Sequence, residues 1–177
     1  MKYILLMSLV STVFLHQTNL IEERKTQIAK IEKSLEFEFE SKVEYSFEHL
    51  EGETSYYMNQ EKSNKKIVMN WNRGSYGSAE RVYYMMNNQL IYFRNLEHEW
   101  IETNRYSLRQ TIYYFSDDHL GYKTSRQIET LGEKWSKNDL SVLEESIADT
   151  AELDANDFQR IVKTLAEFEI KQAGEDE

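Results

Sequence analysis

Cysteine and proline are both missing from the 177 residues, and glycine occurs only six times. Without cysteine there is no disulfide, no thiolate metal site, no cysteine nucleophile and no lipid-modified cysteine of the bacterial lipoprotein type. A chain with no thiol also has none to mispair in an oxidising compartment. Without proline there is no polyproline recognition segment and no proline-stiffened linker. Positive charge is short as well: the net charge is −10, and residues 129–177 carry −9 of it through 14 acidic against five basic residues. An acidic tail on a nearly neutral remainder excludes a nucleic-acid backbone as partner, because binding one requires a basic surface. Gly-rich phosphate cradles and Gly-x-Ser-x-Gly elbows are absent; Arg73-Gly74-Ser75-Tyr76-Gly77 has the wrong frame and reads as a loop between strands.

What is present is apolar and aromatic. At 40% hydrophobic and 13% aromatic the chain is too rich for disorder and long enough for one domain with a real core. Twelve Tyr and eight Phe favour sheet over helix bundle.

At the N-terminus, Lys2 precedes the apolar run Ile4–Leu15, interrupted only by Ser8, Ser11 and Thr12, and a polar exit His16–Asn19 follows. A charged start, a short apolar core and a polar exit predict a secretory signal over residues 1–18, although no Ala-x-Ala cleavage pattern occurs. The run is short for a membrane span and no second candidate exists, so no stable span is expected after signal removal. The expected location is periplasmic or extracellular.

Residues 19–177 read as a single α+β domain. Asn19 and Glu22 form a capping-box pattern, and Ile21, Ile28, Ile31 and Leu35 fall on one helical stripe, predicting a helix over 19–35. At Glu36 the period changes to two: Phe37, Phe39, Val43, Tyr45 and Phe47 alternate with polar residues, with a bulge or bend at Ser41. Three segments then share a pattern at spacings of 27 and 30 residues: Tyr56-Tyr57-Met58, Tyr83-Tyr84-Met85 and Tyr113-Tyr114-Phe115, each followed by a polar turn and a second apolar run. The turns are Asn59–Asn64, Asn87-Asn88 and Asp117-Asp118. Asn and Asp tolerate positive φ and suit tight hairpins. The pattern predicts an antiparallel β-meander of six to seven strands over 36–126.

A two-residue loop at Asn87-Asn88 sets Met85 opposite Leu90, Tyr84 opposite Ile91 and Tyr83 opposite Tyr92. A two-residue loop at Asp117-Asp118 sets Phe115 opposite Leu120 and Tyr113 opposite Tyr122. One face then collects Tyr83, Met85, Leu90, Tyr92, Tyr113, Phe115, Leu120 and Tyr122, and the other Val82, Tyr84, Met86, Ile91, Phe93, Ile112 and Tyr114. Both faces are apolar. Either helices cover one and a partner the other, or the sheet curls around its own core.

Residues 137–172 form an acidic helical tail. Leu140, Leu143, Ile147 and Ala151 follow helical spacing, started by Asn138 or Asp139. A turn near Leu153–Asp154 leads to a second stripe of Phe158, Ile161, Val162, Leu165 and Phe168, capped by Asp154. These helices and the N-terminal one are expected to pack on the sheet.

Taken together, Ile31-Glu32-Lys33, Lys65-Lys66-Ile67-Val68, Ser75-Tyr76-Gly77, Arg81-Val82-Tyr83-Tyr84 through Tyr92-Phe93, and Gln110–Leu120 resemble elements of uncharacterised secreted or periplasmic β-meander proteins of Bacteroidota-type bacteria. The likeness spans roughly residues 1–126. It departs where that family continues its last strand with Ile-Arg-Trp, since Gly121-Tyr122-Lys123 stands here. The resemblance implies an exported compartment and the sheet architecture, and carries no activity or ligand.

No residue set spells out catalysis. His98-Glu99-Trp100 begins like a zinc-protease helix, but residue 102 is Glu where the second His would stand. His49, His98 and His119 are scattered. Asp149, Asp154, Asn156 and Asp157 lack the invariant glycine and distal Glu of a calcium loop, and read as helix caps. No catalytic residue, metal site or cofactor is therefore assigned. Tyr and Trp do favour binding surfaces. Of the rings on the strands, Tyr57, Trp71, Tyr84, Tyr114 and Trp100 are the candidates for a ligand or partner surface, against the plain reading of cross-strand ladders. The expected function is a non-catalytic exported binding or interaction protein that takes a protein or a small apolar ligand on one aromatic sheet face. The alternatives are a small hydrolase with an Asp/Glu pair, or an envelope protein that self-associates as a homo-oligomer through an edge strand.

Overall fold

The computed structural model describes residues 2–35, 39–47, 50–72, 74–116 and 121–173, with side chains from 17–35, 52–72, 74–116 and 121–165. The class is α+β. An N-terminal helix α1 (Lys2–Leu35) precedes seven strands: β1 (Phe39–Phe47), β2 (Leu50–Met58), β3 (Lys65–Asn72), β4 (Gly77–Met86), β5 (Gln89–Glu102), β6 (Arg105–Phe115) and β7 (Gly121–Leu131). Helix α2 (Lys137–Glu145), a four-residue strand β8 (Asp149–Glu152) and helix α3 (Ala155–Ala173) complete the chain. All eight strands form one antiparallel sheet in chain order, β1 to β8. The meander thus holds one strand more than expected, because β8 adds to β7 from within the tail.

Neither expected arrangement of the faces holds. Helices lie on both sides of the sheet. Phe158, Ile161 and Leu165 of α3 pack with Tyr56, Ile67, Met69, Tyr83, Phe93, Tyr113 and Phe115 on one face. On the other, Ile28, Ile31 and Leu35 of α1 pack with Val82, Tyr84 and Ile91. Further along that same face, Leu140 and Leu143 of α2 close over Leu96, Tyr106 and Leu108. A sheet apolar on both faces needs a layer on each, and the chain supplies both itself.

Two strand registers depart from the flat pairing. The Asn87-Asn88 turn forms with both residues at positive φ (52° and 63°), as a tight hairpin requires. Beyond it, Met85 pairs with Leu90 but Tyr84 pairs with Tyr92, so Ile91 is an extra residue, a β-bulge. The bulge exchanges the expected faces of Tyr92 and Phe93. Tyr83, Phe93 and Tyr113 align on the α3 side with ring centroids 4.6 and 5.4 Å apart, stacked. Tyr84, Tyr92 and Tyr114 align on the α1 side edge-to-face at 5.5 and 5.6 Å. Between β6 and β7 the register moves by one: Phe115 pairs with Gly121 and Tyr114 with Tyr122, so Tyr113 does not face Tyr122. Asp117, Asp118, His119 and Leu120 lie outside the described residues, as does the expected Phe115–Leu120 pair. The irregularity expected at Ser41 is present as a register shift between Phe39 and Ser41.

The helices also begin and end differently from the expectation. Asn19 lies inside α1, since no proline or glycine between Leu15 and Leu20 breaks the hydrogen-bond ladder. Among its described side chains, Leu20, Arg24, Ile31 and Leu35 are buried, at helical spacing. Helix α2 is capped by Ser136, not by Asn138 or Asp139; Asp139 is instead the N3 residue of a capping box with Ser136. The sheet runs to Leu131, beyond residue 126. Ile147 is 95% exposed and Ala151 belongs to β8, so neither continues the Leu140–Leu143 stripe. Asp154 caps α3 through its carboxylate, which accepts from the Asn156 N–H at 2.6 Å. Phe168 lies in α3 with its side chain outside the described set.

Candidate ligand groove

The five candidate surface residues do not gather in one place. Tyr57, Tyr84 and Tyr114 lie on the α1 side, Trp100 lies on that side beneath α2, and Trp71 lies on the α3 side. Tyr84 and Tyr114 are buried under the helix layer. Beside α1 they border a cleft of about 600 Å³ with Tyr92, Lys25, Glu32, Lys66, Glu80 and Arg94. The polar groups of this cleft largely engage one another. Tyr84 donates its hydroxyl to Glu32, Lys66 donates to the same carboxylate at 2.7 Å, and Arg94 pairs with Glu80. Burial, then the Glu32 carboxylate, drives the Tyr84 phenol well above its ordinary range. Burial would lift Glu32 too, but the bonds from Lys66 and Tyr84 outweigh it and hold the carboxyl below 4.5.

Trp100 belongs to a ring cluster. His98 packs edge-on against Trp100 and Tyr106 at 4.7 and 4.6 Å, 5% exposed, with Nδ1 3.5 Å from the Ser78 hydroxyl and no partner for Nε2. Burial holds its imidazole below 6.5. Tyr106 donates to Asp139 at 2.8 Å, and burial together with that carboxylate pushes its phenol up to about 12. Asp139 also accepts from Ser136 and Thr130, and these bonds hold its carboxyl low. Everything here fastens α2 to the sheet. Among the described residues no group of three or more His, Asp or Glu is placed to hold a metal. The carboxyls of Glu32 and Asp139 are displaced downward, opposite to what a general acid needs. His49 and His119 lie outside the described residues.

The open site is on the α3 side, where three cross-strand rows follow one another. The first is Tyr83, Phe93, Tyr113 and Lys123; the second Arg81, Asn95, Thr111 and Ser125; the third brings Glu97 opposite Arg109. With α3 as the far wall they enclose a groove of about 550 Å³, into which Asp157, Arg160, Ile161 and Thr164 also face. Lys123 and Arg160 both pair with Asp157, at 2.8 and 3.1 Å. Arg109 pairs with Glu97 through Nε at 3.0 Å. Arg81 reaches Asn95 at 3.3 Å and lies 5.9 Å above the Trp71 ring, with no carboxylate partner among the described residues. The aromatic row is deep, with Tyr83, Phe93 and Tyr113 each at most 6% exposed, so the second and third rows present the accessible chemistry.

No family model, no curated protein and no solved structure matches the chain. What the groove does must therefore come from its own geometry. Sequence reading passes over Arg81, Asn95, Arg109, Thr111, Lys123, Ser125 and Arg160. The alternation Phe93-x-Asn95-x-Glu97 against Arg109-x-Thr111-x-Tyr113 is visible in the chain. Only the Ile91 bulge, however, brings the first of these segments onto the face of Tyr83 and Arg81.

Proposed function

We propose that the protein is a non-catalytic binding protein that takes a small ligand on the α3 side of its sheet. The observation that carries this reading is the groove of about 550 Å³ along α3, within the size range of small-molecule sites. Its floor is held by stacked rings and paired strands. Two features favour binding over turnover: the carboxylates that line it, Glu97 and Asp157, are both committed to ion pairs, and it contains neither histidine nor cysteine. The ligand surface thus shifts from the expected Tyr84–Tyr114 side, which α1 covers, to the opposite face.

The charged start at Lys2 and the apolar run Ile4–Leu15 support export to the periplasm or beyond, as does the resemblance to secreted β-meander proteins. No described helix is long and apolar enough to cross a membrane. Among the described side chains of α1, the buried ones are Leu20, Arg24, Ile31 and Leu35, all beyond residue 18, and their contacts would survive cleavage of a signal there.

Thr111 stands in the middle row of the groove, and Thr111→Trp would fill it while retaining a good strand former. A thermal-shift screen of small metabolites should return compounds that raise the melting temperature of the native chain and leave Thr111→Trp unmoved. A screen with no hits, or with equal shifts in both proteins, would remove the groove as a binding site.

A further inference from the structure

The groove carries an unbalanced charge. Arg81, Arg109, Lys123 and Arg160 line it against Glu97 and Asp157, and Glu99 stands 3.8 Å from Arg109, leaving one positive charge in excess within a chain whose net charge is −10. Asp157 alone serves both Lys123 and Arg160, and Arg81 has no acid at all among the described residues. Four cations beside three carboxylates in a partly enclosed space leave a net positive field, centred on the acid-free Arg81, and an entering anion relieves it. The row between them is hydroxyl and amide: Asn95, Thr111 and Ser125. The Thr111 and Ser125 hydroxyls have no protein partner among the described residues, leaving them free to bond a ligand. The rings lie beneath this layer, so a purely apolar guest would meet polar groups first and strip their water without replacing it.

Resting on the reading of the groove as a binding site, we infer that its ligand is an anionic, hydroxyl-rich small molecule. One acidic group sits among Arg81, Arg109 and Arg160, and the hydroxyls bond Asn95, Thr111 and Ser125. Two sources offer this chemistry, a uronic-acid sugar and a sugar phosphate. Guanidinium forks recognise both carboxylate and phosphate.

The test is isothermal titration of the full chain with digalacturonate, glucose 6-phosphate and the neutral sugar maltose, at low and at moderate salt. At least one of the acids should bind tenfold or more tightly than maltose and weaken as salt rises. The stronger acid identifies the source. Arg160 is an exposed residue of α3, and Arg160→Gln should reduce acid binding severalfold without lowering the melting temperature. Arg81→Gln combined with it should bring the acids down to the level of maltose. If maltose binds as well as either acid, the charge argument is overturned and the groove remains a binding site. If none of the three binds, the assignment of an acidic sugar falls, and the Thr111→Trp screen separately decides whether the groove binds anything.

Discussion

The Tyr84 hydroxyl donates a hydrogen bond to the Glu32 carboxylate, tying the C-terminal part of strand β4 to the last turn of helix α1. Lys66 of β3 donates to the same oxygen at 2.7 Å, and its ammonium also lies 5.7 Å from the Tyr84 ring centroid. One carboxylate thereby joins a helix to two strands, at the rim of a cleft where its bonds are only partly screened by water.

Tyr84→Phe keeps the ring in place and deletes only the donor. It should lower stability by about 1–2 kcal/mol in urea denaturation. The Glu32 carboxyl, held below 4.5 by its donors, contributes stability that is present above that value and lost as pH falls through its folded pKa. With Tyr84→Phe this acid loss should become shallower, and a titration of Glu32 by NMR should show its pKa rising. An unchanged Glu32 titration would mean that Lys66 alone holds the carboxylate.

His98 also loses stability on acidification, but through burial of its neutral form. Its imidazole is buried between Trp100 and Tyr106 and its pKa is depressed by that burial, so the folded state resists protonation. The unfolded chain takes up the proton near 6.5, which means stability is full above that pH and falls as the solution is acidified below it. Melting temperatures measured between pH 7.5 and 5 should show the decline, and His98→Phe should flatten it. Because His98 lies under α2, hydrogen exchange in residues 137–145 should accelerate first.

Leu143 and Ile147 are four residues apart and should respond very differently. Leu143 of α2 is fully buried against the sheet, whereas Ile147 is 95% exposed in the connection to β8. Leu143→Ala should cost about 2–4 kcal/mol, and Ile147→Ser should stay within about 0.5 kcal/mol. Equal losses would place Ile147 in the core after all.

Gly77 opens β4 at φ 119°, and a Cβ built there would lie 1.8 Å from the His98 carbonyl oxygen. That contact is with backbone, so no side chain can move aside. Gly77→Ala should therefore cost roughly 3 kcal/mol or more, read as a large fall in melting temperature. Gly74→Ala is the control: its φ is 61° but nothing lies within 4 Å, so only the smaller strain of a left-handed residue applies.

Much of the architecture could be read from the chain because period-two alternation and Asn turns act locally. The hairpin at Asn87-Asn88, the loop Asn59–Asn64 and the cap at Asp154 all stand where the residues imply. What escaped were effects that depend on a partner strand. The Ile91 bulge exchanges Tyr92 and Phe93 between faces, and no alternation pattern announces a single inserted residue between two apolar neighbours. The strand β8 is four exposed residues, Asp149–Glu152, whose composition suits a helix and whose conformation is set by the free edge of β7. The groove along α3 was hidden for the same reason: its residues come from four strands and α3, and only the correct register puts Arg81, Asn95, Thr111 and Ser125 side by side.

Strand order that copies chain order has a consequence for how the protein is made. Each strand needs only the one before it, so the sheet can grow by local hairpin addition while the rest of the polypeptide is still emerging from the ribosome. The layer that roofs Tyr83, Phe93, Tyr113 and Phe115 arrives last, with Phe158, Ile161 and Leu165. Until those final residues appear, the nascent sheet shows a bare stripe of rings, the interval in which a chaperone would have most to hold.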